Sequence, residues 1–201
     1  MSARIRLATF ADAAQVLEIY APHVSNSTVS FELEPPSLPA MTERIAKVTA
    51  SLPWLVLEEE GAVLGYAYAT PFNERAAYAW SVDVAVYVRE AARRRGVAEA
   101  LYTSLLAVLR LAGFRNAVAI IALPNDPSVA LHESLGFRPV GLYPRIGYKR
   151  GAWRDVGHWL LSFGPTEGPP PEPPDFRRWV GSQEMDAALA SGLGRFRTGT
   201  P

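Results

Sequence analysis

The 201-residue chain contains no cysteine. That excludes disulfides, thiolate-held metal and a covalent cysteine intermediate, so any group it transfers would pass directly, and it is compatible with a reducing cytoplasm. Net charge is also missing, because 20 Lys and Arg offset 20 Asp and Glu. The surface therefore has no global positive field for a nucleic-acid backbone or an anionic membrane, and an anion site would have to be local. No run is long and apolar enough to cross a bilayer. The first residues, Met1-Ser2-Ala3-Arg4-Ile5-Arg6, lead into a short alternation instead of a secretory leader, which places the expected protein in the cytoplasm. Without such a leader, Asn26-Ser27-Thr28 is a chance match to a glycosylation sequon.

Several catalytic signatures are absent as well. His132-Glu133 begins like a zinc-protease helix, but Gly136 stands where the second histidine is required, so no metal is expected. There is no Gly-x-Ser-x-Gly elbow, no Walker A loop and no triple-glycine dinucleotide fingerprint.

What is present is the composition of a soluble globular protein, 49% apolar and 20% charged, in a length that suits one domain. Residues 4–8 alternate as a strand, and Thr9-Phe10-Ala11-Asp12 reads as a variant capping box opening a helix to about Tyr20. An irregular Ser/Thr/Asn/Pro segment, 23–39, precedes a second helix near 40–50. Residues 54–59 and 62–70 form a hairpin about Glu60-Gly61. Residues 80–88 alternate strictly. Trp80, Val82, Val84, Val86 and Val88 share one face, while Asp83 and Tyr87 lie on the other. Val97, Leu101, Leu105, Val108 and Ala112 recur at helical spacing up to a cap at Gly113. A buried strand at 117–123, a helix capped by Asn125 or Asp126, and strands near 139–148 and 153–163 complete the expected domain, residues 1–164. Prolines crowd the start of 165–201, which reads as a stiff linker and a tail with a short helix near 182–190.

The densest chemistry lies where the alternating strand runs into Arg93-Arg94-Arg95-Gly96-Val97-Ala98-Glu99 at the mouth of the long helix. Free amides and the helix dipole there suit a pyrophosphate, and Gly96 permits a close backbone approach. Three arginines before a helix also fit a solvated turn.

Arg93, Gly96 and Ala98, following a strand and opening a helix, resemble the coenzyme A loop of the Gcn5-related N-acetyltransferase (GNAT) superfamily, and within it the phosphinothricin acetyltransferases. Supporting stretches are Thr28-Val29-Ser30-Phe31, Tyr87-Val88, Leu101-Tyr102-Thr103, Leu123-Pro124-Asn125-Asp126-Pro127-Ser128-Val129, His132-Glu133-Ser134-Leu135-Gly136-Phe137 and Trp153-Arg154-Asp155-Val156-Gly157. The resemblance implies a single α/β (α+β) domain, with a mixed, mostly antiparallel sheet of six or seven strands, about four flanking helices and splayed central strands.

It further implies acetyl-CoA as co-substrate. The backbone of Val86, Tyr87 and Val88 would pair with the pantetheine arm, Arg94, Arg95, Gly96, Val97, Ala98 and Glu99 would cradle the pyrophosphate, and Asn125 would also hold the coenzyme. Asp83 occupies the place of the family's glutamate base, one methylene shorter, and His132 is a candidate acid for the departing thiolate. For the acceptor, Phe31 would wall an apolar part, and Arg75 would clamp a carboxylate or phosphinate in a bidentate fork. The implied acceptor is a small amino-acid-like amine of the phosphinothricin or methionine sulfoximine type. A peptide N-terminus, a polyamine or an antibiotic stays open, as does a non-catalytic acetyl-CoA sensor. The exposed strand edges and aromatic tail allow a homodimer.

Overall fold

In the computed structural model, which describes residues 3–164, 167–169 and 172–199, the strands are β1 (Ala3–Leu7), β2 (Trp54–Glu59), β3 (Ala62–Pro71), β4 (Ser81–Val88), β5 (Asn116–Ala122), β6 (Arg138–Lys149) and β7 (Ala152–Ser162). They form one sheet in the order β1-β2-β3-β4-β5-β7-β6. The β4–β5 pair is parallel and the others antiparallel. The α-helices are α1 (Ala13–Asn26), α2 (Leu38–Thr49), α3 (Val97–Ala112), α4 (Asp126–Ser134) and α5 (Gln183–Ala190).

Period-two alternation divides the strands between two cores. Leu55, Leu57, Ala67, Ala69, Val82, Val84, Ala117 and Ala119 pack on the α3 side, whereas Trp54, Val56 and Tyr66 meet α1 and α2, joined by Val63 because the β2–β3 register shifts between Leu57 and Glu58. On α3, Leu101, Leu105 and Leu109 are fully buried, each worth about 1.5–3 kcal/mol relative to exposure. Gly113 ends that helix in the left-handed region, at φ 95°, as its sequence position predicts. The Thr9 capping box is also formed, with the Thr9 amide donating to Asp12 Oδ2 at 2.8 Å.

Two elements differ from expectation. Helix α1 continues past Tyr20 to Asn26, through Pro22. Pro22 removes one helical N–H, but complete burial of Val24 beyond it offsets that loss. The second difference is the tail. Its helix forms close to the expected place, and Phe176 (3% exposed) and Met185 (1%) enter the α3-side core. The described residues from Phe176 to Phe196 thus pack on the domain body. Of the expected proline linker, Pro165, Pro170 and Pro171 lie outside the described residues.

Candidate active site

The site begins where β4 leaves β5. The two strands pair only over Ser81↔Asn116, Val82↔Ala117 and Asp83↔Val118, while β3 follows β4 to Gly65↔Val88. Beyond Asp83 the sheet splays, and Val86, Tyr87 and Val88 keep ladder partners on one side only. Such an open strand edge can take an extended ligand by backbone pairing. The Tyr87 ring is engaged elsewhere, edge-on to Tyr20 at 5.0 Å and stacked with Tyr66 at 5.3 Å. Its backbone, not its phenol, is what it offers to the splay.

After β4 a short turn leads to Arg94 and Gly96, both left-handed, at φ 62° and 78°. They fold the chain so that the amides of residues 94–99 have no acceptor among the described residues, at the positive end of a 16-residue helix. That is a cradle for a phosphate group. Gly65 brings the cradle close to the splay. A Cβ on it would lie 2.8 Å from both the Tyr87 carbonyl oxygen and Val97 Cγ1, so its bare Cα lets the start of α3 press onto β3.

The three arginines separate. Arg93 and Arg94 are exposed, available to an anion. Arg95 turns inward and is 8% exposed. Its Nη2 lies 2.7 Å from Glu59 Oε2, its Nε donates to the Arg197 carbonyl at 3.2 Å, and its guanidinium sits 4.8 Å from the Phe196 ring centroid. Only the backbone of Arg95 is left for a phosphate. The close approach at Gly96 is likewise made by the protein itself, because a Cβ there would collide with the Arg195 carbonyl oxygen.

Asp83 lies directly across from Thr70 on β3. Tyr68, Thr70, Asp83, Val84, Ala85 and Ile120 line a cavity of about 140 Å³, room for ordered water. Asp83 Oδ1 is buried and has no hydrogen-bond partner among the described residues. Burial without a counter-charge disfavours the carboxylate, and its pKa rises to about 7. A structural carboxylate would be paired. This one is held near neutrality, as a proton acceptor needs.

His132 sits differently from a free general acid. It is 3% exposed, with Nδ1 2.7 Å from the Ser128 carbonyl and Nε2 3.0 Å from the Tyr102 hydroxyl. A carbonyl only accepts, so Nδ1 carries the proton and Nε2 accepts from Tyr102. Burial lowers the pKa of the imidazole and keeps it neutral. Its single proton is committed to the backbone. Asn125 caps α4, its side-chain oxygen accepting from the Ser128 amide at 3.3 Å, which leaves its amide nitrogen toward other partners.

The acceptor-side candidates do not line the Asp83 cavity. The Phe31 ring packs where a Cβ on Gly147 would stand. Its segment is pinned by Lys149, a residue with no signal in the sequence pattern. The Lys149 Nζ, buried, donates to the carbonyls of Val24 (2.6 Å), Ser30 (2.8 Å) and Glu32 (2.8 Å). Desolvation lowers its pKa. Arg75 is exposed on the turn after β3, and Asn73 Oδ1 accepts from its backbone amide at 3.0 Å. Tyr68 and Thr70 also escaped sequence reasoning, since only the β3–β4 register brings them to Asp83. Among the described residues no cluster of His, Cys, Asp and Glu is arranged to hold a metal, and no helix is long and apolar enough to cross a membrane.

The family model described as "Acetyltransferase (GNAT) domain" matches residues 5–158. A phosphinothricin N-acetyltransferase of Streptomyces viridochromogenes is 44% identical over 170 residues, covering 85% of this chain and 93% of the relative. An L-methionine sulfoximine/L-methionine sulfone acetyltransferase of Pseudomonas paraeruginosa is 34% identical over 172 residues, 85% of this chain and 100% of the relative. Among solved structures, a GNAT superfamily phosphinothricin acetyltransferase from Sinorhizobium meliloti in complex with AcCoA superposes with a TM-score of 0.82 at 36% identity, covering 87% of this chain and 96% of that one. With a matching domain model over most of its length, a splayed β4–β5 pair and an amide cradle at the start of α3, the chain belongs to the GNAT acetyltransferase family.

Proposed function

We propose that this chain transfers an acetyl group from acetyl-CoA to the amine of a small amino acid of the phosphinothricin or methionine sulfoximine type, by direct attack with both substrates bound. The observation that carries this reading is Asp83, a half-buried carboxyl whose Oδ1 is sealed from solvent without a hydrogen-bond partner among the described residues and whose pKa is raised to about 7, at the point where the sheet opens. The relatives acting on phosphinothricin and on methionine sulfoximine support the acceptor class.

The residues fit the donor. The unpaired amides of Arg94, Arg95, Gly96, Val97, Ala98 and Glu99 suit the pyrophosphate, with the charges of Arg93 and Arg94 beside them. The open edge of Val86, Tyr87 and Val88 suits the pantetheine arm, and the Asn125 amide nitrogen a carbonyl along it. The thioester carbonyl would then lie near the start of the splay, where strand amides polarise it.

An ammonium cannot attack, so one proton must leave the acceptor. Asp83 takes it, and because aspartate is a methylene shorter than glutamate, a water in the 140 Å³ cavity carries the proton across. As the C–S bond breaks, the thiolate is reprotonated from water, because the Tyr102 hydroxyl is buried, is held protonated by that burial and already donates to His132. His132 ties α4, which Asn125 caps, to Tyr102 on α3, and so acts as a positioning residue. Arg75, exposed and free of any side-chain partner among the described residues, clamps the acceptor's acid group, and Phe31 walls its apolar part.

The outer hairpin supports a homodimer in the same proposal. Leu142, Tyr143, Ile146, Tyr148 and Trp153 are each more than half exposed on the β6–β7 edge of the sheet, a patch of the kind that covers subunit contacts. Sedimentation at micromolar concentration should return twice the 21.9 kDa chain mass. Because acetyl-CoA is made inside cells, the activity implies a cytoplasmic location. The reading itself is tested by thiol release from acetyl-CoA across a panel of amino acids, polyamines and peptides. Turnover with the oxyacid amino acids supports it. Coenzyme binding without turnover on any amine would make the protein a sensor.

A further inference from the structure

The matched family domain ends at residue 158, yet the chain's last described segment reaches back to the loop at the start of α3. Ser104, fully buried on α3, anchors this return. Its Oγ donates to the Leu189 carbonyl at 2.7 Å and accepts from the Gly192 amide at 3.1 Å. The bare Cα of Gly192 rests against the Ala100 carbonyl. From there residues 195–197 cross the loop. Arg195 Nη1 lies 3.2 Å from Glu99 Oε1, and the Arg195 carbonyl covers the face of Gly96 that a side chain would occupy. The Arg197 amide donates to the Arg95 carbonyl at 2.9 Å, while Arg95 Nε donates back to the Arg197 carbonyl at 3.2 Å. Phe196 lies over the same guanidinium, which reaches Glu59 on β2.

These contacts grip the loop by the Arg95 carbonyl, by the side chains of Arg95 and Glu99, and by the vacant side of Gly96. None uses an amide of residues 94–99. The loop needs such support, since it holds Arg94, a non-glycine residue, in the left-handed region, where its Cβ crowds the backbone. Left alone, it would sample conformations in which its amides diverge. An anion would then have to order it at the expense of affinity.

We propose that residues 195–197 are a positioning strap for the coenzyme pyrophosphate, so that the C-terminal tail of this chain takes part in coenzyme recognition without touching the coenzyme. The inference rests on reading residues 93–99 as the pyrophosphate cradle. The test is designed to separate the two. Dissociation constants for coenzyme A and for pantetheine, which lacks the pyrophosphate, are measured by displacement calorimetry for three proteins. These are the full chain, a chain ending at Gly194 that keeps Phe176, α5 and the Ser104 anchor, and Arg197→Pro, which removes a single amide donor. Melting temperatures are recorded beside them.

The full chain should bind coenzyme A far more tightly than pantetheine. Truncation should weaken coenzyme A by about tenfold, and Arg197→Pro by about threefold, with pantetheine affinity held within twofold in both. Equal affinities of the full chain for the two ligands would overturn the cradle reading and the strap with it. A full chain that prefers coenzyme A, with variants that bind it unchanged or lose both ligands in parallel, would overturn the strap alone.

Discussion

The two ends of the site are built by different means. At the donor end, from Val86 to Glu99, nearly every feature is backbone. There is a strand edge released by the splay, a row of unpaired amides, two left-handed residues, and a glycine with the tail laid against it. At the proposed acceptor end the features are side chains on less constrained segments, with Arg75 on an exposed turn, Phe31 on a loop held by Lys149, and Ile120 half exposed beside the cavity. The contrast fits what each end is proposed to bind. One phosphate and one pantetheine arm can be read by backbone geometry, which side-chain changes leave intact. A variable acceptor is read by side chains, which change without disturbing the sheet.

Asp83 lies between the two ends, and its replacement breaks the comparison hardest. Asp83→Asn should lower kcat by about 10²- to 10⁴-fold, with the dissociation constant for coenzyme A nearly unchanged. In the native protein, activity should rise with pH through about 7, where the carboxyl gives up its proton. The same burial predicts an opposite trend in stability. Folding raises this pKa from 3.8 to about 7, so between those values the native state holds a proton that the unfolded chain releases. The contribution of Asp83 to unfolding free energy therefore declines as pH rises through that window and is level above it. Melting curves should show Asp83→Asn gaining stability relative to the native protein as pH goes from 4 to 8. A constant difference would mean that the carboxyl is not desolvated.

A smaller effect, confined to the donor end, is expected from Gly96→Val. A β-branched residue at φ 78°, facing the Arg195 carbonyl, should weaken coenzyme A binding by about tenfold or more and lower the melting temperature. Arg75→Ala should act least and only at the acceptor end. It should raise the acceptor KM by about three- to tenfold through loss of a charge-assisted contact, leaving coenzyme affinity alone. If Arg75→Ala also weakened coenzyme A, the ends would not be separable.

The period of the residues made much of this legible in advance. Val97, Leu101, Leu105 and Val108 share a buried face of α3, and Val82 and Val84 turn to the core while Asp83 turns away, as their spacing requires. Direction within a run of like residues was not legible. Arg93, Arg94 and Arg95 look equivalent in sequence, and only the return of the tail and the nearness of Glu59 decide that Arg95 turns inward. His132 reads as an available acid until the fold seals it behind Tyr102 and the Ser128 carbonyl. Lys149 and Ser104 are each set by contacts across roughly a hundred residues, which no local pattern encodes.

The most direct measurement is the release of coenzyme A thiol from acetyl-CoA with phosphinothricin, methionine sulfoximine and unsubstituted amino acids as acceptors, run on the native chain and on Asp83→Asn across pH 5.5 to 8.5. The expected result is turnover that depends on an oxyacid amino acid, rises through a midpoint of about 7 and falls at least about a hundredfold in the variant. Coenzyme binding with no thiol release on any of these amines, or an Asp83→Asn protein as active as the native one, would contradict it.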